Sequence, residues 1–179
     1  MKFLDSNLLD YSGSYFNVSK NDSGTTIMKF SNGYQLDNLE LYNNIMLGGC
    51  DTCRDNWIYT KFNGFTYDKV LVAGLGLGLI PQELYTVKNC SQVDVVEINQ
   101  DVIDWANNSN HLDSNINIFQ GDIYNYTTSD LYDLIIIDTI WAETEMNETQ
   151  YQTLVTNFTD NLNLGGVLYV PVLKKWFEK

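Results

Sequence analysis

Lys69-Val70-Leu71-Val72-Ala73-Gly74-Leu75-Gly76-Leu77-Gly78 is an apolar run that breaks into alternating glycines. Val70 to Ala73 do not alternate between apolar and polar, as a strand with one wet face would, so they read as a strand covered on both faces. The glycines let the backbone turn and approach a ligand closely just before a helix N-terminus. Pro81 suits the first turn of that helix, whose apolar positions are Ile80, Leu84 and Val87. The same unit repeats outward. Val93 to Ile98 is a second strand, and Gln100 to Asn108 a helix with Val102, Ile103, Trp105 and Ala106 on its apolar side. Ile116 to Phe119 and Leu134 to Ile137 are the third and fourth strands. A longer helix carries Tyr151, Leu154, Val155, Phe158 and Leu162 and ends at Gly165-Gly166, before a fifth strand from Val167 to Val170. Apolar strands separated by helices predict an α/β, doubly wound parallel sheet.

The first 65 residues read differently. Short alternating runs (Tyr15 to Val18, Thr25 to Phe30, Tyr34 to Leu36) are separated by turn signals such as Asn21-Asp22-Ser23-Gly24 and Ser31-Asn32-Gly33. Asn-Gly between alternating segments is a strong hairpin signal. The expected organisation is therefore a β-hairpin region over 1–65 and the α/β domain over 66–179.

The chain has 179 residues, 44% hydrophobic and 18% charged, enough apolar material for a core and incompatible with a disordered chain. Its longest apolar run, Val70 to Ile80, is too short to span a bilayer, and no apolar stretch follows Lys2 as a secretory leader would require. A soluble, cytoplasmic protein without a membrane partner is the expectation. The net charge of −13 repels phosphate backbones, which argues against nucleic-acid binding; it either attracts a cationic amine or simply keeps the protein soluble, the second being the plainer reading. Cys50 and Cys53 have the spacing of half a zinc site or of a redox pair, but no second such pair exists and the only histidine is His111. Reduced thiols and no metal are expected.

In a doubly wound sheet, ligands bind at the carboxyl ends of the strands. The first strand ends in Gly74, Gly76 and Gly78; Leu79 stands where a dinucleotide fingerprint would need a third-spacing glycine, so the turn suits a nucleoside on a sulfonium amino acid. The second ends at Glu97, placed to accept both hydroxyls of a ribose; the alternative is an acidic surface cap. The third ends at Gly121-Asp122, where Asp122 is placed to receive an adenine amino group, and the fourth at Asp138.

From about Gly48 to Val170 the sequence resembles the spermidine synthase (polyamine aminopropyltransferase) family, a branch of the class I S-adenosylmethionine-dependent methyltransferase superfamily. The resembling segments are Thr52 to Tyr59, Lys69 to Gly78, Val95 to Ile98 with Asp101-Val102-Ile103, Gly121-Asp122, Tyr132 to Asp138 and Gly165 to Leu168. The resemblance implies a Rossmann-like fold, shortened at its C-terminus. It assigns Glu97 to the ribose, Asp122 to the adenine, and Gly74, Gly76 and Gly78 to the close turn. Asp138 matches the family's catalytic aspartate and Tyr59 a tyrosine that assists it; a packing role is the alternative for Tyr59.

Three departures qualify the resemblance. Leu77 replaces the aspartate that anchors the ammonium of decarboxylated S-adenosylmethionine, and Trp141 replaces a substrate-holding aspartate, either as a stacking platform or as a plug. The chain also stops at Lys179, before the family's last two strands. Three functions follow: a small-molecule methyltransferase using S-adenosylmethionine, an aminopropyltransferase using its decarboxylated form, or a nucleoside-binding protein without catalysis. An unfinished sheet edge suggests a homodimer.

Overall fold

The computed structural model describes residues 10–13, 16–20, 26–30, 66–110, 112–139, 146–171, 173 and 175–179. Strands β1 (Tyr11–Ser12), β2 (Phe16–Lys20) and β3 (Thr26–Phe30) form an antiparallel sheet in that order, with Phe16 opposite Phe30 and Lys20 opposite Thr26. The second sheet is built from β4 (Lys69–Ala73), β5 (Gln92–Glu97), β6 (Ile116–Gln120), β7 (Tyr132–Ile137), β8 (Leu162–Val170) and β9 (Lys175–Glu178). Helices α1 (Leu79–Thr86), α2 (Gln100–Ser109) and α3 (Glu148–Phe158) connect its strands. The strand order is β6-β5-β4-β7-β8-β9, parallel throughout except for antiparallel β9. The chain reverses its winding between β4 and β7, so a crevice opens at the carboxyl ends of those two strands.

Alternation along each strand divides the core in two. Val70, Val72, Val93, Val95, Leu134 and Ile136 face α1 and α2 and meet Leu84, Val102 and Trp105. Leu71, Ala73, Val96, Ile135, Ile137 and Leu168 face α3 and meet Leu154 and Phe158. Each such aliphatic side chain taken from water contributes about 1.5–3 kcal/mol, which is why these strands carry so few polar residues. The small sheet joins the first of these cores. Phe16 stacks on Tyr11 at 4.5 Å and meets the edge of Trp105 at 6.2 Å.

The helix starts are set by side chains. Asn99 accepts from the Asp101 N–H at the start of α2. Asn147 and Gln150 form a reciprocal capping box at the start of α3, satisfying two amides that would otherwise lack partners.

Two boundaries differ from the sequence expectation. The last helix does not continue to Gly165-Gly166: α3 ends at Phe158, a 3₁₀ turn covers Thr159–Asn161, and β8 already begins at Leu162. The glycines instead form an irregularity inside the strand. Between paired residues Tyr132↔Leu162 and Leu134↔Val167, β8 carries extra chain, and Gly165 takes φ 79° there. A Cβ on Gly166 would lie 2.9 Å from the carbonyl oxygens of both Asn163 and Tyr132. Second, the sheet does not end at its fifth strand. β9 pairs with β8 and brings Lys179 back to the bulge, where it exchanges hydrogen bonds with Gly165 and Gly166 at 2.9 and 3.0 Å. Lys175 ties β9 to α3 by pairing with Glu148 and lying 5.0 Å from the Tyr151 ring centre.

One carboxylate lies deep in the sheet. Asp94 is 1% exposed, and its Oδ2 accepts from the Tyr132 hydroxyl at 2.8 Å and Gln92 Nε2 at 2.7 Å, its Oδ1 from Asn117 Nδ2 at 2.8 Å. Burial, reinforced by the bond to Asp94, pushes the Tyr132 phenol well above its ordinary pKa, so it remains a donor at all ordinary pH. Asp94→Ala strands the fully buried Tyr132 hydroxyl and is expected to cost about 3 kcal/mol. In a thermal melt this appears as a fall of about 6–12 °C. A variant that melts with the parent would show that water replaces the carboxylate.

Cys90 is buried and unpaired, its thiol pushed up to about 11 by burial first and by Asp68 and Asp133 next. It is a core residue held as the inert thiol. Cys50, Cys53 and His111 lie outside the described residues. Among the described residues, no three His, Cys, Asp or Glu side chains are placed to hold a metal ion, and no helix is long and apolar enough to cross a membrane.

Candidate functional site

The carboxyl ends of four parallel strands are stitched together by backbone hydrogen bonds. Gly74 N–H donates to the Val96 carbonyl at 2.8 Å, Asp138 N–H to Ala73 at 2.8 Å, and Gly121 N–H to Glu97 at 2.9 Å. These bonds continue the sheet one residue past each strand and bring Gly74, Glu97, Gly121 and Asp138 to one edge.

The glycine turn follows from that stitching. Gly74, Gly76 and Gly78 have φ of 93°, 51° and 74°, a region that side chains disfavour. At Gly74 there is no room either: a Cβ would stand 2.5 Å from the Asp138 carbonyl oxygen. The intervening leucines serve the core. Leu75 and Leu77 are buried, Leu77 with 0% exposure, in the cluster facing α1 and α2. The turn thus has alternating duties, with leucines pulling it onto the core and glycines bending it. Gly78 N–H closes on the Leu75 carbonyl at 2.8 Å and Gly78 caps α1.

Glu97 is 8% exposed and is the second element holding the turn. Its Oε2 accepts from Leu75 N–H at 2.9 Å and its Oε1 from Asn99 N–H at 2.8 Å. Burial raises its pKa above the ordinary glutamate value, against the opposing pull of backbone donors at Leu75, Asn99 and Ile98. A carboxylate has about four lone-pair sites, so with three backbone donors around it the group retains capacity for a further donor. Asp122 folds its own loop: its Oδ1 accepts from Tyr124 N–H at 3.0 Å and its Oδ2 from Asn125 Nδ2 at 2.9 Å. Asp138 is half-buried beyond β7.

Three neighbours of this edge were not anticipated. Ile98, directly after Glu97, is 64% exposed and lays an apolar surface beside the carboxylate. Its signal in the sequence was an apolar residue one step beyond a strand's last buried position. Tyr169 on β8 is buried and opposite Ile136, and burial and then Asp138 raise its phenol pKa. Only the strand register reveals that neighbour. Thr139 follows Asp138, its hydroxyl buried without a hydrogen-bond partner, as are the hydroxyls of Tyr124 and Ser109. Tyr59 and Trp141 lie outside the described residues.

The sheet order, its antiparallel last strand and the glycine turn beneath α1 make a Rossmann-like fold of the kind found in class I S-adenosylmethionine-dependent methyltransferases. Solved structures share it. The N-methyltransferase NodS of Bradyrhizobium japonicum WM9, in complex with S-adenosyl-L-homocysteine, superposes with a TM-score of 0.51 at 22% identity, over 63% of this chain and 56% of that one. The glycopeptide N-methyltransferase MtfA, complexed with S-adenosyl-L-methionine, gives 0.50 at 15% identity, over 63% of this chain and 50% of that one. The chain therefore spans about half the length of each of these structures. No family model and no curated protein matches the chain.

Proposed function

We propose that this chain binds S-adenosylmethionine and transfers its methyl group to a small molecule. The observation that carries the reading is Glu97: a buried carboxylate at the end of β5, already bonded to the glycine turn and with accepting capacity left for a ribose hydroxyl. Charge-assisted bonds of that kind contribute about 1.5–3 kcal/mol each. The turn itself suits the co-substrate, because Gly74, Gly76 and Gly78 bend bare backbone at positive φ around the head of α1. Asp122 is assigned to the adenine amino group and Ile98 to one face of the base. When bound, S-adenosylmethionine supplies a methyl carbon attached to a positively charged sulfur.

Asp138 then orients the acceptor and takes its proton, with the Tyr169 phenol beside it. A net charge of −13 favours a cationic acceptor over an anionic one. Tyr59 and Trp141 are assigned to the acceptor side on the resemblance alone. Leu77 supports the carboxylated co-substrate: its side chain is committed to the core and offers no charge to an aminopropyl ammonium.

Calorimetric titration with S-adenosylmethionine and decarboxylated S-adenosylmethionine, side by side, tests the reading. Tighter binding of the carboxylated form is expected, with affinity retained and turnover lost in Asp138→Asn. Tighter binding of the decarboxylated form would replace methyl transfer by aminopropyl transfer. Binding of neither would refute the nucleoside site.

A further inference from the structure

Of the connections between the parallel strands, only the one from β6 to β7 carries no helix. Residues 121–131 run there as irregular chain and lay Ile123, Tyr124 and Tyr126 on the core that faces α3. Without a helical ladder of its own, such a segment has to be held by side chains from outside it. Asn157 Nδ2 donates to the Tyr124 carbonyl at 3.1 Å, and Asn161 Nδ2 to the carbonyls of Thr128 and Asp130 at 2.8 and 3.1 Å. These bonds secure the middle and the far end of the segment. The near end is Gly121-Asp122. The Asp122 carboxylate takes its bonds from within the segment, from Tyr124 N–H and Asn125 Nδ2, so its place depends on how the segment is seated.

Tyr126 provides the seat. Its ring Cδ2 stands 3.9 Å from where a Gly121 Cβ would be, with Val96 Cγ1 at 3.7 Å, both ordinary van der Waals distances. The ring centre is 6.0 Å from that of Phe119 on β6. At the other end of the side chain, the hydroxyl is hydrogen-bonded with the Thr128 and Tyr132 hydroxyls. The Tyr132 O–H is already donated to the buried Asp94, which leaves its oxygen to accept from Tyr126. Burial first, then Asp94 and Asp130, raise the Tyr126 phenol pKa, so the group stays a protonated donor at ordinary pH. A line of contacts thus runs from a carboxylate deep in the sheet to the residue immediately before Asp122.

We propose that Tyr126 is a positioning residue for recognition of the base: anchored on the Tyr132–Asp94 pair, it bears on Gly121 and fixes Asp122 where the adenine amino group meets it. The inference rests on the methyltransferase reading above, including its assignment of Asp122, and adds the side chain that makes that carboxylate selective. Tyr126 acts through Asp122 and needs no contact with the ligand. A carboxylate displaced by about 1 Å keeps its charge but loses the alignment that distinguishes an amino group from a hydrogen.

The test compares two ligands by calorimetry: S-adenosylhomocysteine, and its analogue with hydrogen in place of the adenine amino group. The parent is expected to prefer the amino form about 10- to 100-fold, the worth of one bond to a charged acceptor. In Tyr126→Ala the preference should shrink about fivefold or more, with the affinity for the analogue unchanged. Tyr126→Phe keeps the ring on Gly121 and loses the anchor, and should give a smaller loss in the same direction. It also keeps the question answerable if Tyr126→Ala does not fold. Leu168→Ala, in the same core but on β8, is the control for lowered stability: it should melt lower and keep the parent's preference. A preference unchanged in the Tyr126 variants, or equal losses for both ligands, would overturn the positioning role. A parent that binds both ligands equally would remove the adenine from Asp122 and this inference with it, while the methyltransferase reading stands. A parent that binds neither would refute that reading as well.

Discussion

Gly74→Ala is expected to lower the melting temperature by about 10 °C and to weaken co-substrate binding at least ~100-fold. Two effects combine. The residue sits at φ 93°, where an L side chain is strained by roughly 1–2 kcal/mol. Its new Cβ would also stand 2.5 Å from the Asp138 carbonyl oxygen, which is backbone and has no rotamer to adopt. Relief requires the ends of β4 and β7 to separate, and with them the crevice. Gly165→Ala distinguishes the two contributions. That glycine has a similar φ of 79° but nothing within 4 Å of its would-be Cβ, and it is in β8 near the opposite edge of the sheet. It should lose only 2–4 °C or so and bind as the parent does. Equal effects at both glycines, measured by thermal melts and titration, would show that the contact with Asp138 is unimportant.

The second large effect is at Glu97. Glutamine has the same shape but only one accepting oxygen, whereas both carboxylate oxygens receive backbone N–H groups, from Leu75 and Asn99. In Glu97→Gln one of those N–H groups faces the new NH₂. The turn loosens, and the diol loses a charged acceptor. Stability should fall by about 1–3 kcal/mol and affinity for S-adenosylmethionine by two orders of magnitude or so. The pH dependence has a definite sign. Because burial raises the Glu97 pKa in the folded protein, acidification neutralises the acceptor at a higher pH than for an ordinary glutamate. Affinity should therefore begin to drop above the usual carboxylate range. For folding itself the sign is opposite: a raised carboxyl pKa means the native state holds its proton more tightly than the unfolded chain. This group therefore disfavours folding as pH rises through the folded pKa and favours it on acidification. A binding profile flat down to the ordinary glutamate range would refute the role of a buried, ionised Glu97.

Much of this site was legible in the residues because strand ends in a doubly wound sheet are marked twice, by the stop of an apolar run and by the polar residue that follows. Ala73-Gly74, Glu97 and Asp138 were found that way. The end of α3 was not, since Leu162 continues the helical spacing of Tyr151, Leu154 and Phe158 while belonging to β8. Glycines that stop helices also make bulges, and Gly165-Gly166 do the latter. β9 escaped notice because four residues, Lys175 to Glu178, carry too short an alternation to announce a strand. Asp94 was invisible for a different reason. A single acid in an apolar strand reads as an interruption, and only the fold supplies Tyr132 and Asn117 as its donors. Leu77 stands out in the sequence as a departure from the spermidine synthase pattern it resembles, but its fully buried side chain is a property of packing.

The contact between Phe16 and Trp105 also governs how the chain is made. Eighty-nine residues separate them in sequence, and Phe16 is completely enclosed in the finished protein. During vectorial synthesis its seat against α2 does not exist until those residues have emerged, an interval of roughly 4–18 s at ordinary elongation rates. For that time Phe16 and Val18 lack the core that covers them in the finished protein, and a holding chaperone would have its first opportunity to bind.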